Sequence, residues 1–275
     1  MYSRCLSLLF SAALIMQAGT LRVCADPDNL PFSNRAQAGF ENRLAQMVAH
    51  DLNASLEYAW WPGRAHSLDR SLKAGACDLL FGVPDGMEGL LLTRPYYKSS
   101  YVFVSRADRG SAFSSLMDAR LAQSKIGVSV VGDDYAPPAV LLARRGLAAN
   151  VVPFRLFGPR GETNAQARIV DAVRRGDIDV AIVWGPVAGY FARRASQDAP
   201  LQIDAISPPE FAGIPFTYSV SAALRQDETA LRKEVDQVLA RECRSIQALL
   251  TQYRVPLVAE DQSRCDTQLS PVLSR

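Results

Sequence analysis

Apolar and polar residues along the first part of the chain fall into blocks whose period switches between two and about 3.6. This pattern predicts strands over Leu21–Ala25, Ser55–Trp60 and Asp78–Val83, with helices over Phe40–Leu52 and Ser67–Ala74 between them. Such alternation of strand and helix is typical of a parallel sheet, whose ligands gather at the carboxyl ends of the strands. We therefore expect one α/β lobe with a cleft at its strand ends.

A second block, beginning near residue 125, repeats the same plan. Strands are predicted over Lys125–Val131, Val151–Phe154 and Ile178–Trp184. A helix opens at Pro137 and stops near Arg145–Gly146, and another is predicted over Gln166–Arg175. Two similar lobes are the simplest interpretation of this repetition.

The C-terminal part of the chain is too small to form a third domain. It predicts a strand over Phe216–Leu224 and mostly helix over Glu228–Tyr253, which we expect to return to the first lobe. The predicted fold class is α/β with two lobes, each a mostly parallel sheet flanked by helices, joined by a hinge. The expected units are a signal peptide over 1–19, lobe 1 over 20–106, lobe 2 over 107–207, and a return to lobe 1 over 208–275.

The N-terminus has the layout of a secretory signal peptide. One positive charge, on Arg4, precedes an apolar run over Cys5–Met16, and small residues follow at 18–20. This predicts export, with no membrane insertion once the leader is removed. An uncleaved anchor or a buried first helix is the alternative interpretation.

Composition adds few constraints on function. The chain has 275 residues, a formal net charge of +2 and 48% hydrophobic residues, which are the values of an ordinary globular protein. Without a strongly basic balance or a run of lysines and arginines, there is no electrostatic case for nucleic-acid binding. A monomer is expected.

Four cysteines remain after the leader is removed, and an even number in an exported chain predicts two disulfides. Three pairings are possible. We favour Cys24–Cys77, because both residues lie on strands expected to be neighbours, which leaves Cys243–Cys265 to fasten the C-terminal tail. A metal site is the weaker interpretation, since no Cys-x-x-Cys pair occurs and only two histidines are available.

Candidate cleft residues follow from the expected strand ends. They are Asp26, Asn29, Phe32, Trp60, Trp61, Arg64, Pro84, Asp85, Tyr96, Asp133, Tyr135 and Trp184. The aromatic residues suit an apolar ligand or an inserted protein segment. Each also has a structural interpretation: the aromatics as core, the aspartates as turn or cap residues, and Arg64 as a surface charge.

Enzyme chemistry finds little support in the sequence. No Gly-x-Ser-x-Gly elbow, P-loop or His-Glu-x-x-His motif occurs, and no cofactor motif is present. His50 and His66 offer no obvious general base. Cleft acids of a dehydratase are the remaining enzymatic alternative, with Asp85, Glu88 or Asp133 as candidates.

Several motifs taken together resemble the type II periplasmic solute-binding proteins of ABC transport systems. They are Leu30-Pro31-Phe32, Gly39-Phe40-Glu41, Ala74-Gly75-Ala76-Cys77-Asp78, Thr93-Arg94-Pro95-Tyr96-Tyr97 and Ile178-Asp179-Val180-Ala181. Amino-acid binders of that family hold the substrate carboxylate with an arginine shortly after the third strand, because its fork matches two carboxylate oxygens. The stretch 84–89 here has two acids and no arginine, which disfavours capture of a free amino acid.

A narrower resemblance is to the solute-binding-like proteins encoded beside quinoprotein alcohol dehydrogenases, the MoxJ/XoxJ group. It is carried by 24–34, Gly39-Phe40-Glu41-Asn42, Gly82-Val83-Pro84 and 95–104. The segment 62–66 departs from that group, and the C-terminal helix with its two cysteines is unusual. The resemblance implies a non-catalytic periplasmic accessory to a methanol or alcohol dehydrogenase that uses pyrroloquinoline quinone, with that enzyme or its cytochrome as partner. An ABC-transport receptor for a small, apolar or aromatic solute is the alternative function.

Overall fold

The computed structural model describes residues 19–61, 68–110, 112–131, 134–156, 164–192, 199–258 and 265. The predicted signal peptide, apart from residue 19, and the candidate residues Arg64 and Asp133 lie outside these ranges. Within them, no helix is long and apolar enough to cross a membrane.

The described elements follow the predicted order of strands and helices. The strands are β1 (Thr20–Ala25), β2 (Asp28–Asn29), β3 (Ser33–Asn34), β4 (Ser55–Trp60), β5 (Leu79–Pro84), β6 (Leu91–Leu92), β7 (Tyr97–Arg106), β8 (Ile126–Val131), β9 (Asp134–Tyr135), β10 (Val151–Arg155), β11 (Val180–Trp184), β12 (Leu201–Ala205), β13 (Glu210–Phe211), β14 (Ile214–Pro215) and β15 (Thr217–Leu224). The helices are α1 (Phe40–Asp51), α2 (Pro137–Arg144), α3 (Ala167–Arg175), α4 (Gly185–Ala192), α5 (Thr229–Arg241) and α6 (Cys243–Gln252).

The main strands form one continuous sheet in the order β10-β8-β11-β7-β15-β5-β1-β4. We call β1, β4, β5 and β15, with helices α1, α5 and α6, the first half, and β8, β10, β11 and β12, with helices α2–α4, the second half. Parallel pairing joins β4, β1 and β5 in the first half and β10, β8 and β11 in the second. The α/β fold class is confirmed, while the exact lobe limits stay a prediction.

Strand β7 is shared by both halves. Its residues Tyr97–Ser100 pair with β15 of the first half, and Tyr101–Ser105 pair with β11 of the second half. Both pairings are antiparallel, so antiparallel contacts join two parallel units. The single strand therefore fixes the residues around position 100 at the junction of the two halves.

Both faces of the sheet are covered, which explains its nearly continuous apolar strands. Along β7, Val102 and Val104 pack with helices α3 and α4 on one face. The intervening Phe103 packs on the other face with Ile126 and Leu142. Successive side chains of a strand point to opposite faces, so a strand buried on both sides carries no polar alternation.

The two predicted disulfides are confirmed. Cys24 at the end of β1 pairs with Cys77 before β5, with their Cα atoms 5.5 Å apart. Because β1 and β5 are hydrogen-bonded neighbours, this bond lies on one face of the first half. Cys243 at the start of α6 pairs with Cys265.

One local prediction differs from the structure, and two longer elements were not predicted. The helix predicted over 67–74 is a series of hydrogen-bonded turns in its described part, such as Lys73 N–H to Leu68 O at 3.0 Å. The segment is short, and nucleating a helix in so few residues is unfavourable. Helix α4 and strand β12 were not predicted; α4 begins Gly-Pro and holds a second glycine, a composition with low helix propensity.

Candidate ligand cleft

A cavity of about 490 Å³ lies between the two halves of the sheet, and both contribute to its wall. This volume is within the usual range for a site that encloses a small organic ligand. The described residues that line it are Asn29, Phe32, Glu41, Gly82, Pro84, Tyr97, Tyr101, Ser129, Ala136, Pro137, Leu156, Gln166, Trp184, Val187, Tyr218 and Val220.

The turn after β1 forms one side of the cavity and is held against the start of α1. The backbone N–H of Phe40 donates to Pro31 O, and that of Glu41 donates to Phe32 O, each at 2.9 Å. These bonds satisfy donors that a helix N-terminus otherwise leaves without partners. A Cβ at Gly39 would lie 2.0 Å from Phe32 O, so the turn and the helix approach closely only because residue 39 is glycine.

Three aromatic side chains meet edge to face along another side of the cavity. The ring of Tyr101 lies 5.4 Å from that of Trp184 and 6.5 Å from that of Tyr218, and the last two are 6.1 Å apart. Burial, with a smaller effect of Tyr218, raises the pKa of Tyr101 well above its ordinary value. Burial and the nearby Asp85 carboxylate raise the pKa of Tyr218 as well.

One buried carboxylate reaches the cavity wall. Glu41 is only 3% exposed and occupies the first turn of α1, where the helix dipole favours negative charge. The Tyr96 hydroxyl donates to Glu41 Oε1 at 3.4 Å and accepts the Gly82 N–H at 2.9 Å. Tyr96 therefore lies directly behind the wall and positions Glu41.

Direct contacts connect the two halves beside the cavity. The Gln166 side-chain amide, at the start of α3, donates to the Asn29 side-chain oxygen, and both residues are 5% exposed. The Asn164 N–H donates to Asp28 Oδ1 at 3.3 Å. Leu30, from the turn of the first half, is buried in the apolar cluster of α3 and α4 in the second half.

The segment after α6 forms a second connection. The Tyr253 ring stacks on Tyr190 of α4 at 5.8 Å, and its hydroxyl donates to Ala38 O at 2.6 Å. A Cβ at Gly189 of α4 would lie 1.8 Å from Arg254 O, which shows how closely this segment packs on the second half. The C-terminal part of the first half is thus fastened to the second half.

Four of the residues predicted from the sequence line the cavity: Asn29, Phe32, Pro84 and Trp184. Tyr96 lies behind the wall, and Tyr135 is placed in β9, with its backbone paired to Val130 of β8. Both described acids of the dehydratase alternative, Asp85 and Glu88, are exposed and absent from the lining.

The remaining candidates have structural roles in the first half. Asp26 is buried, and its Oδ1 accepts the Asp28 N–H at 2.8 Å, as expected of a turn aspartate. Trp60 stacks on Tyr58 with ring centroids 4.7 Å apart, and Trp61 packs near the Cys24–Cys77 disulfide. Neither tryptophan is among the lining residues.

The main residues missed were Tyr97, Tyr101, Glu41 and Gln166. Tyr97 and Tyr101 are four positions apart on β7 and share one face of the strand, whereas the predicted Tyr96 belongs to the other parity. The strand period therefore held the signal for both tyrosines. Gln166 lies at the N-terminus of a helix that follows a strand, a position that faces the cleft in such sheets.

Comparison with known proteins identifies the class of the chain. Residues 21–254 match the family model described as bacterial extracellular solute-binding proteins, family 3. The chain belongs to this family, whose fold is that of the type II periplasmic binding proteins.

Within the family, the similarity is to MoxJ and XoxJ-type proteins, which confirms the resemblance found in the motifs. The chain is 29% identical to Protein MoxJ of Paracoccus denitrificans, over 92% of this chain and 94% of that protein. The crystal structure of MxaJ from Methlophaga aminisulfidivorans MPT matches with a TM-score of 0.73 and 29% identity, covering 87% of this chain and all of that one. The periplasmic binding protein XoxJ from Methylobacterium extorquens AM1 matches with a TM-score of 0.69 and 32% identity, with the same coverage.

Proposed function

We propose that this chain is a periplasmic binding protein that assists a methanol or alcohol dehydrogenase dependent on pyrroloquinoline quinone, by binding, activating or assembling it. The observation that carries the proposal is the similarity to MoxJ, MxaJ and XoxJ over nearly the whole chain, rather than over the fold alone. The two disulfides suit the oxidising periplasm in which such an enzyme works. The protein itself is not an enzyme in this proposal.

The chemistry of the cleft supports a role other than amino-acid capture. No lysine or arginine lines the described part of the cavity, so a substrate carboxylate finds no bidentate partner there. In addition, Asn29, Leu30 and Asp28 contact the second half directly. Protein groups therefore join the two halves beside the cavity.

Binding to purified quinoprotein methanol dehydrogenase and to its cytochrome tests the proposal. Light scattering after size exclusion should show a complex, and the alcohol-oxidation rate with an artificial electron acceptor should change when the mature chain is added. An amino-acid-binding protein of the same fold is the control. Two variants test where the enzyme docks. Met87→Ser, in the loop after Pro84, and Phe211→Ser, in the β13–β14 hairpin, each replace an exposed apolar side chain. The variant that weakens the complex marks its residue as part of the docking surface. The proposal is contradicted if no complex forms and the oxidation rate does not change.

The cavity keeps a transport receptor as the second candidate, because its volume suits a small solute. A thermal-shift screen separates the two functions. A ligand present at a hundred times its dissociation constant stabilises the folded state by about 2.7 kcal/mol. A solute with this effect, combined with no dehydrogenase complex, would favour the receptor. The dehydratase alternative gains no support from Asp85 or Glu88, which lie outside the described lining.

A further inference from the structure

The described part of the cavity wall carries formal charge of one sign. Among the described residues that line it, Glu41 alone bears a formal charge, and it is almost fully buried. The same wall carries five aromatic rings. They belong to Phe32, Tyr97, Tyr101, Trp184 and Tyr218.

Both features can attract a cation. An aromatic ring has a negative face, over which an ammonium group binds, and the attraction grows when water is excluded. A carboxylate acts in the same direction through space, and more strongly in a buried site than in water. This holds whether or not the oxygens of Glu41 already accept hydrogen bonds, as Oε1 does from Tyr96.

We propose that the cavity binds a small organic cation with an apolar body and no carboxylate, such as a quaternary or primary amine. The ammonium group would lie against the aromatic rings on the side of Glu41. Asn29, Ser129 and Gln166 supply polar atoms at the wall for a hydroxyl group on the same ligand. A zwitterionic amino acid is disfavoured, because its carboxylate would be repelled by Glu41. The described lining has no lysine or arginine to bind that carboxylate.

Three probes of nearly the same shape test this inference by calorimetry on the mature chain. Choline carries the cation, 3,3-dimethylbutan-1-ol replaces its nitrogen by carbon, and glycine betaine adds a carboxylate. We expect choline to bind at least about tenfold more tightly than either of the other two, which is one decade in the dissociation constant. Phenethylamine compared with phenylalanine repeats the test with a primary amine.

Variants connect the binding to the named residues. Glu41→Gln should weaken choline or phenethylamine binding by about tenfold or more, since it removes the charge and keeps the shape. Glu234→Gln is the matched control: it makes the same change at an exposed position of α5 outside the described lining and should change binding less than about twofold. Trp184→Leu should weaken binding more than Trp184→Phe, which keeps an aromatic face and serves if Glu41→Gln does not fold.

Three results would each overturn the inference. The first is that no cationic probe binds at about 10 mM, a concentration that detects even a weak dissociation constant. The second is that the neutral isostere or betaine binds as tightly as choline, and the third is that Glu41→Gln leaves binding unchanged. The inference does not depend on the dehydrogenase partnership: failure to form that complex leaves the ligand test intact, and failure of the ligand test leaves the complex intact.

Discussion

Replacement of Gly189 by alanine probes the contact between helix α4 and the segment after α6. The new Cβ would lie 1.8 Å from Arg254 O and 2.8 Å from Arg254 C, whereas real Cβ atoms essentially never approach closer than 3.0 Å. The opposing atoms belong to the backbone and cannot rotate away. The segment must therefore move by more than about 1 Å, which would disturb the stacking of Tyr253 on Tyr190.

Two opposing effects set the size of the change. Overpacking typically costs about 1–3 kcal/mol, and a clash with backbone belongs at the upper end of that range. Alanine in place of glycine in a helix returns about 1 kcal/mol. We expect Gly189→Ala to lower the free energy of unfolding by about 2 kcal/mol, which in a protein of this size lowers Tm by about 4–8 °C.

Gly185→Ala is the graded comparison in the same helix. Its Cβ would lie 2.8 Å from Ser100 O and from Ser99 Oγ, a smaller overlap that is also below 3.0 Å. Thermal unfolding followed by circular dichroism should place Gly185→Ala between wild type and Gly189→Ala, with Gly189→Ala lowest. If Gly189→Ala is as stable as wild type, or more stable than Gly185→Ala, the close packing of α4 on the C-terminal segment is wrong.

Three further predictions concern a buried leucine between the two halves, the two disulfides, and two ion pairs. Leu30→Ala removes an 8% exposed side chain from the apolar cluster of α3 and α4, and should lower the free energy of unfolding measured in urea by about 2–5 kcal/mol. A loss below about 0.5 kcal/mol, as expected at the surface, would contradict its burial. Removing the Cys24–Cys77 disulfide, whose cysteines are 53 positions apart, should lower Tm more than removing Cys243–Cys265, whose cysteines are 22 positions apart. The loss of chain entropy in the unfolded state predicts a stabilisation of about 4.1 kcal/mol for the first bond and about 3.4 kcal/mol for the second. The reverse order of Tm values would contradict this account. The Arg241 guanidinium lowers the pKa of Asp51, and the Arg120 guanidinium lowers that of Asp118, so their stabilisation is present above about pH 4 and is lost as pH falls through the lowered values. The midpoint of urea unfolding should therefore decrease as the pH is lowered from about 5 to about 3. In Asp51→Asn this decrease should be smaller, because one of the two carboxylates is absent.

Local periodicity was sufficient for most of the fold. The strand at the start of the mature chain and helix α1 show clean apolar spacing, and their prediction required no knowledge of distant residues. The Cys24–Cys77 pair followed from one further step, the expectation that β1 and β5 are neighbours. Helix α4 was missed because its stability comes from packing on β7 and β11 rather than from its own sequence, which contains two glycines and a proline.

The candidate site was less predictable because its residues come from distant parts of the chain. Asn29 was named from its strand end, but its partner Gln166 is 137 positions away, and no local pattern connects the two. Glu41 entered the sequence analysis only as part of the Gly39-Phe40-Glu41 motif. That motif describes the start of its helix and not the cavity wall, which Tyr218 of β15 and Trp184 of β11 complete from elsewhere in the sheet.

The turn after β1 connects the shape of the cavity with the position of the two halves. Phe32 lines the cavity, Asn29 both lines it and bonds to Gln166, and Leu30 between them is buried in the second half. Opening the cleft at this turn therefore breaks a hydrogen bond and exposes a leucine, whether or not a ligand is present. A ligand that entered by such opening would pay this cost from its own binding energy, which lowers its apparent affinity. A partner protein that binds the closed form avoids this cost, which supports the docking role proposed above.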